Sequence, residues 1–173
     1  MDLYVCEEGD FDVSVTNFGI FMLSDPVKGA AEVHRTLKLD GVAFITAWKF
    51  HGWVDLLRRI SEIVRPGVVC EGVLAIRWPG KEKMVETMVE AGFEREGVEV
   101  RERREWLGFE DERDLRELMT AGRFAVHSTS DWEEGERRRI PGVIRQALTS
   151  EEWQMKGIAM DAWIVIARKQ GRN

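Results

Sequence analysis

Two cysteines, Cys6 and Cys70, are all that the 173 residues contain. Two thiols without metal-site spacing make no disulfide framework, so a reducing compartment, the cytoplasm, is expected. The three histidines, His34, His51 and His127, include no pair at metal-ligand spacing, and no metal is expected. The uncharged stretch from Val13 to Ser24 falls short of the ~20 apolar residues that cross a bilayer. Asp2, Glu7, Glu8 and Asp10 occupy the N-terminus, where a secretory signal carries basic residues, so neither export nor a membrane partner is expected. Positive charge is also short: 25 Lys and Arg against 31 Asp and Glu give a net charge of -6, the wrong sign for a nucleic-acid surface. The arginines at 101, 103 and 104 and at 137–139 are interleaved with Glu102, Glu105, Glu134 and Glu136 and read as solvated faces.

Several loops that hold phosphates or nucleophiles are missing too. Among the 16 glycines no two are separated by a single residue, which removes the G-x-G core of a nucleoside-binding loop. Gly67 and Gly72 have P-loop spacing, but Val73 and Leu74 stand where Lys and Ser or Thr are required. No serine sits in a G-x-S-x-G elbow.

What is present is the composition of a folded protein, 44% hydrophobic and 32% charged, with enough length for one domain that buries roughly 70% of its unfolded surface. Apolar and polar residues alternate over 11–17 and run into Phe18-Gly19, a strand followed by a turn. Asp25-Pro26 then opens a helix over 25–38, carried by Val27, Ala30, Ala31, Val33, His34 and Leu37. Residues 42–48 are a continuous apolar run, as in strands covered on both faces. Trp53, Leu56, Leu57, Ile60 and Ile63 mark an amphipathic helix stopped by Pro66-Gly67. Residues 68–76 suit an extended linker or a short strand. A helix over 81–91 ends at Gly92, and a strand is expected over 93–106. Helices follow over 110–120 and 131–148, the second broken or kinked at Pro141-Gly142. A second unbroken apolar run, 162–167, is another central strand. The pattern predicts an α/β fold of three layers, its sheet mixed with an antiparallel edge.

The segments Met1-Asp2-Leu3, Glu7-Glu8-Gly9-Asp10-Phe11-Asp12-Val13, Thr16-Asn17-Phe18-Gly19, Asp25-Pro26, Glu32, Arg35-Thr36-Leu37 and Gly41 appear in a characteristic order. In that order and spacing the chain resembles the C-terminal part of a class I S-adenosylmethionine-dependent methyltransferase of the small-molecule type, over nearly its whole length. Leu39-Asp40 departs from the proline-glycine usual before the second strand. The resemblance implies a partial Rossmann-like sheet in which residues 11–17, 42–48, 156–169 and 93–106 are the family's strands 4-5-7-6. It divides a single truncated domain into core elements (1–67), a variable helical and substrate-side region with one strand (68–155) and the last central strand (156–173). It further implies cofactor contacts at Asn17, Phe18 and Gly19, with Phe21, Met22 and Trp48 facing the substrate.

By the same resemblance the glycine-rich loop and the ribose-gripping acid would precede Met1, so the chain alone is expected not to hold S-adenosylmethionine. Trp78, Trp106 and Trp132 are aromatic candidates for a substrate pocket or for core packing. A strand over 11–17 at an open edge is expected to be covered, together with Val13, Val15 and the face of the following helix, by a second copy of the chain or by another chain completing the sheet. Three functions are open at this point. One is a methyltransferase for a small apolar metabolite. Another is a cofactor-independent isomerase or cyclase using His51 or Asp161 as acid or base, and the third is a non-catalytic partner-binding homologue.

Overall fold

The computed structural model describes residues 6–76, 78–121 and 123–171. Among them, β1 (Phe11–Thr16), β2 (Leu37–His51), β3 (Val98–Gly108) and β4 (Gly157–Arg168) form one sheet in the order β1-β2-β4-β3. β1 runs parallel to β2, with Val13 beside Val42 and Val15 beside Phe44. The remaining pairs are antiparallel. Asp40 N–H donates to the Lys169 carbonyl, whereas Gly52 lies against the Ala159 carbonyl, so β4 descends as β2 ascends. Gly97 lies against the Arg168 carbonyl, and Phe109 N–H donates to the Lys156 carbonyl, which sets β3 against β4 in the same sense. The sheet is therefore mixed, with its four segments in the order that the resemblance implies.

The helices are α1 (Pro26–Thr36), α2 (Gly52–Val64), α3 (Lys81–Glu90), α4 (Glu112–Ala121), α5 (Arg123–Ser128), α6 (Glu134–Arg137), α7 (Ile140–Ala147) and α8 (Ser150–Met155). α1 starts where the sequence places it: the Asp25 carboxylate accepts from Lys28 N–H at 3.0 Å and Pro26 opens the first turn. That amide bond, more than the neighbouring Lys28 ammonium, holds the Asp25 carboxyl below the ordinary carboxylate range.

Two local expectations are corrected, and one left open between a linker and a short strand is decided against the strand. Residues 93–97 are not strand, because Gly92 turns the chain at φ 109 and Arg95–Gly97 coil into a 3-10 turn before β3 begins. Residues 131–148 are two helices, and Pro141 sits in the first turn of α7, where its missing N–H costs nothing, rather than breaking a longer helix. Residues 68–76 contain a 3-10 turn at Gly72–Ala75 rather than a strand.

By contact density the chain divides into two compact units. The first holds the described residues of Met1–Lys49, Trp78–Arg103 and Asp161–Asn173. Its core joins Ala43, Ile45 and Ala47 of β2 and Val165 and Ala167 of β4 to Ala30 of α1 and Met84 and Met88 of α3. The Lys169 ammonium, buried at the end of α1, donates to the Leu37 carbonyl at 2.8 Å and the Arg35 carbonyl at 3.4 Å, which supplies a cation where the helix leaves carbonyls unpaired.

The second unit, with Phe50–Arg77 and Arg104–Met160, packs Leu56, Leu57 and Ile60 of α2 against Leu115, Met119, Trp132, Ile140 and Ile144. There the Arg59 guanidinium grips buried Glu152 at 2.7 and 2.9 Å, and Glu152 closes a capping box with Thr149. Burial pushes the Glu152 carboxyl up, but Arg59 and the Thr149 N–H outweigh it and leave it below the ordinary glutamate value.

Candidate functional site

Because β1 and β2 are parallel, their carboxyl ends open on the same side, the end at which open α/β sheets bind ligands. Asn17, Phe18 and Gly19 follow β1 there. The left-handed residue of the turn is Phe18, at φ 53, and not the glycine beside it. For a bulky side chain that conformation costs roughly 1–2 kcal/mol.

Two contacts offset the cost. Phe18 N–H donates to the Thr46 hydroxyl at 2.8 Å, and that hydroxyl donates onward to the Asn17 carboxamide oxygen at 2.7 Å. The Phe18 ring then stacks on Trp48, centroids 3.9 Å apart and planes 15° from parallel. A hydrogen bond contributes about 1 kcal/mol and an aromatic pair about 0.5–1.5, so together they match the strain. Thr46 is the residue that sequence reasoning missed. Its only signal was a hydroxyl inside the apolar run 42–48.

The structure thus brings Asn17, Phe18 and Trp48 together, with Thr46 between them. Phe21 and Met22 follow in the 3-10 turn Ile20–Met22; Phe21 is half-buried against the core of the first unit, while Met22 is exposed. Trp78 is half-buried in the same unit, shortly before α3. Asp161 is buried on β4. Trp106, on β3, and Trp132 belong to the second unit, and Trp132 is a core residue there with Arg65 over its ring.

His51 also belongs to the second unit, where it caps α2: its Nδ1 accepts from Val54 N–H at a long 3.4 Å. Burial holds this imidazole's pKa below the ordinary value, in keeping with an acceptor nitrogen. Among the described residues no group of three or more His, Cys, Asp or Glu is gathered to hold a metal ion, and no helix is long and apolar enough to cross a membrane.

A sulfonium nucleoside with an amino-acid tail asks for backbone donors at a helix N-terminus and a carboxylate for its ribose. At the end of β1 the Phe18 N–H and the Asn17 carboxamide oxygen are engaged by Thr46. The N-terminus of α1 is occupied by Asp25. In this structure the Phe18 N–H, the Asn17 carboxamide oxygen and the Lys28 N–H in the first turn of α1 each already have a partner.

No family model and no curated protein matches the sequence. Solved structures do match. A methyltransferase from an antibiotic biosynthesis pathway of Anabaena variabilis aligns with 96% of this chain and 69% of its own, at 14% identity and a TM-score of 0.57. A methyltransferase of Bacillus halodurans aligns with 98% of this chain and 68% of its own, at 14% identity and a TM-score of 0.48. Phosphoethanolamine N-methyltransferase 2 of Haemonchus contortus, in complex with S-adenosyl-L-methionine, aligns with 96% of this chain but only 35% of its own, at 13% identity and a TM-score of 0.45. The Anabaena likeness identifies a fold, that of the class I methyltransferases, and this chain has it.

Proposed function

We propose that this chain is a methyltransferase-family protein, related to the S-adenosylmethionine-dependent enzymes that act on small apolar molecules, and that its 173 residues do not hold the cofactor alone. The observation that carries the reading is the shared carboxyl end of β1 and β2, where Phe18 and Trp48 form an aromatic wall behind a turn whose polar groups bond one another. Two stacked rings beside a turn whose polar groups bond one another suit an apolar ligand better than a charged nucleoside. Alignment of nucleophile and methyl group is most of what a protein contributes to this reaction, so a chain that does not grip the cofactor contributes little rate by itself. His51 is engaged as the cap of α2, which supports methyl transfer over acid-base isomerisation at that residue.

Binding calorimetry tests the reading. S-adenosylmethionine and S-adenosylhomocysteine titrated into the 173-residue chain are expected to give only heats of dilution. Saturable micromolar binding of either would overturn the claim that the cofactor needs further groups.

A further inference from the structure

A cavity of about 270 Å³ lies in the first unit, where the 3-10 turn Arg95–Gly97 meets the end of β4. Val42 of β2 and Ile166 of β4 supply its apolar surface. They alternate with Ala43, Val165 and Ala167, which are buried in the core beneath α1 and α3, and so stand half-buried on the other face of the sheet. Carboxylates reach the cavity from the turn and the start of β3, at Glu96 and Glu99, and nitrogen donors from the end of β4, at Arg168 and Gln170. Gly97 borders both sets: a Cβ there would come 3.0 Å from the Arg168 carbonyl oxygen and 3.2 Å from the Gln170 carboxamide nitrogen. The missing side chain leaves that nitrogen its place.

Both signs of charge line this cavity, yet no ion pair joins them. Arg168 donates through Nη1 to the Asp40 carbonyl at 2.8 Å, which anchors the guanidinium and leaves the rest of its fork without a protein partner. Glu99 accepts from Arg101 at 2.6 and 3.1 Å, and this bond holds its carboxyl below the ordinary glutamate range, so it stays anionic. The side chains of Glu96 and Gln170 have no hydrogen-bond partner among the described residues. Opposite charges that face one small space without meeting are complementary to a ligand that carries both.

We propose that this cavity binds a free α-amino acid with an apolar side chain. The Arg168 fork and the Gln170 carboxamide donate to its carboxylate, as guanidinium groups do in planar, paired contacts. Glu96 and Glu99 accept from its ammonium, and its side chain covers Val42 and Ile166. A simple acid is repelled by the two carboxylates and a simple amine by the guanidinium, so the lining selects the zwitterion through repulsion as well as attraction. The cavity lies below the roughly 300–1,000 Å³ of sites for larger ligands, which suits one amino acid rather than a nucleotide or a peptide. Its charged groups are exposed, so each contact is weak and a dissociation constant of about 1 mM is expected. Val42 stands near the start of β2 and Trp48 near its end, roughly 20 Å apart along the strand. The site is therefore separate from the Phe18–Trp48 pair, and the proposal does not depend on methyl transfer.

Titration of the 173-residue chain with L-leucine, followed in nitrogen-proton spectra, tests the proposal. Saturable shifts of the Gly97 and Gln170 amides are expected, with a midpoint of about 1 mM. Isocaproate, which lacks the ammonium, and isoamylamine, which lacks the carboxylate, are each expected to bind at least tenfold more weakly to the same unaltered protein. Arg168→Met and Glu96→Gln, both at exposed positions whose folding is checked by circular dichroism, are expected to weaken leucine binding at least tenfold. Absence of saturable shifts at Gly97 and Gln170 overturns the proposal. So does binding of isocaproate or isoamylamine as tight as that of leucine, or leucine binding that neither substitution weakens.

Discussion

The hydroxyl of Thr46 holds Phe18 in the left-handed region, accepting its N–H at 2.8 Å from 28 residues away in sequence. Through this bond the carboxyl end of β1 is shaped by β2, and the Phe18 ring is delivered onto Trp48.

Thr46→Val keeps the shape of the side chain and removes both of its hydrogen bonds, leaving a half-buried Phe18 N–H without its partner. A loss of about 1–3 kcal/mol is expected in urea unfolding, against less than about 1 kcal/mol for Thr46→Ser. Equal losses for the two variants would show that the hydroxyl does not hold the turn.

Gly52, at the start of α2, lies so close to β4 that an added Cβ would come 2.1 Å from the Ala159 carbonyl oxygen, a backbone atom with little room to move. Gly52→Ala is expected to cost more than about 3 kcal/mol. Gly135, within α6, has nothing within 4 Å, and Gly135→Ala is expected to stabilise by about 0.5–1 kcal/mol. Similar unfolding midpoints for the two variants would contradict the packing of α2 against β4.

Two histidines give stability a pH dependence. Burial depresses the pKa of both His51 and His34, with Lys169 adding to the effect at His34. Each imidazole therefore takes up its proton more readily in the unfolded chain. Stability is at its fullest above the free imidazole value of about 6.5 and falls with acidification toward the folded pKa values. Thermal unfolding between about pH 7.5 and 5.5 is expected to shift downward on acidification. His51→Asn, which retains a capping side chain, is expected to flatten part of that slope. An unchanged slope would show that His51 does not titrate with folding.

Much of this fold is legible in local pattern, and the exceptions have identifiable causes. Alternation from Phe11 and the Asp25-Pro26 start of α1 depend on neighbours in sequence, and the structure keeps both. β2 is longer than its apolar run, because Leu37 leaves α1 straight into the strand and Asp40 absorbs the irregularity at φ 64, where sequence pattern reads a helix end. Pro141 is ambiguous locally, since proline both breaks helices and starts them, and here it starts one. At the candidate site Asn17 and Trp48 are expectations of the resemblance, whereas Thr46 acquires its contacts with Asn17 and Phe18 only when β1 and β2 pair. Left-handed backbone at Phe18 runs against the preference of every bulky residue and follows from the same pairing.

The Phe18 amide reports most directly on the proposal that this chain does not hold the cofactor alone. In a two-dimensional nitrogen-proton spectrum that amide is expected to keep its position as S-adenosylmethionine is added to millimolar excess. A shift of the Phe18 signal that saturates at micromolar cofactor would contradict the account.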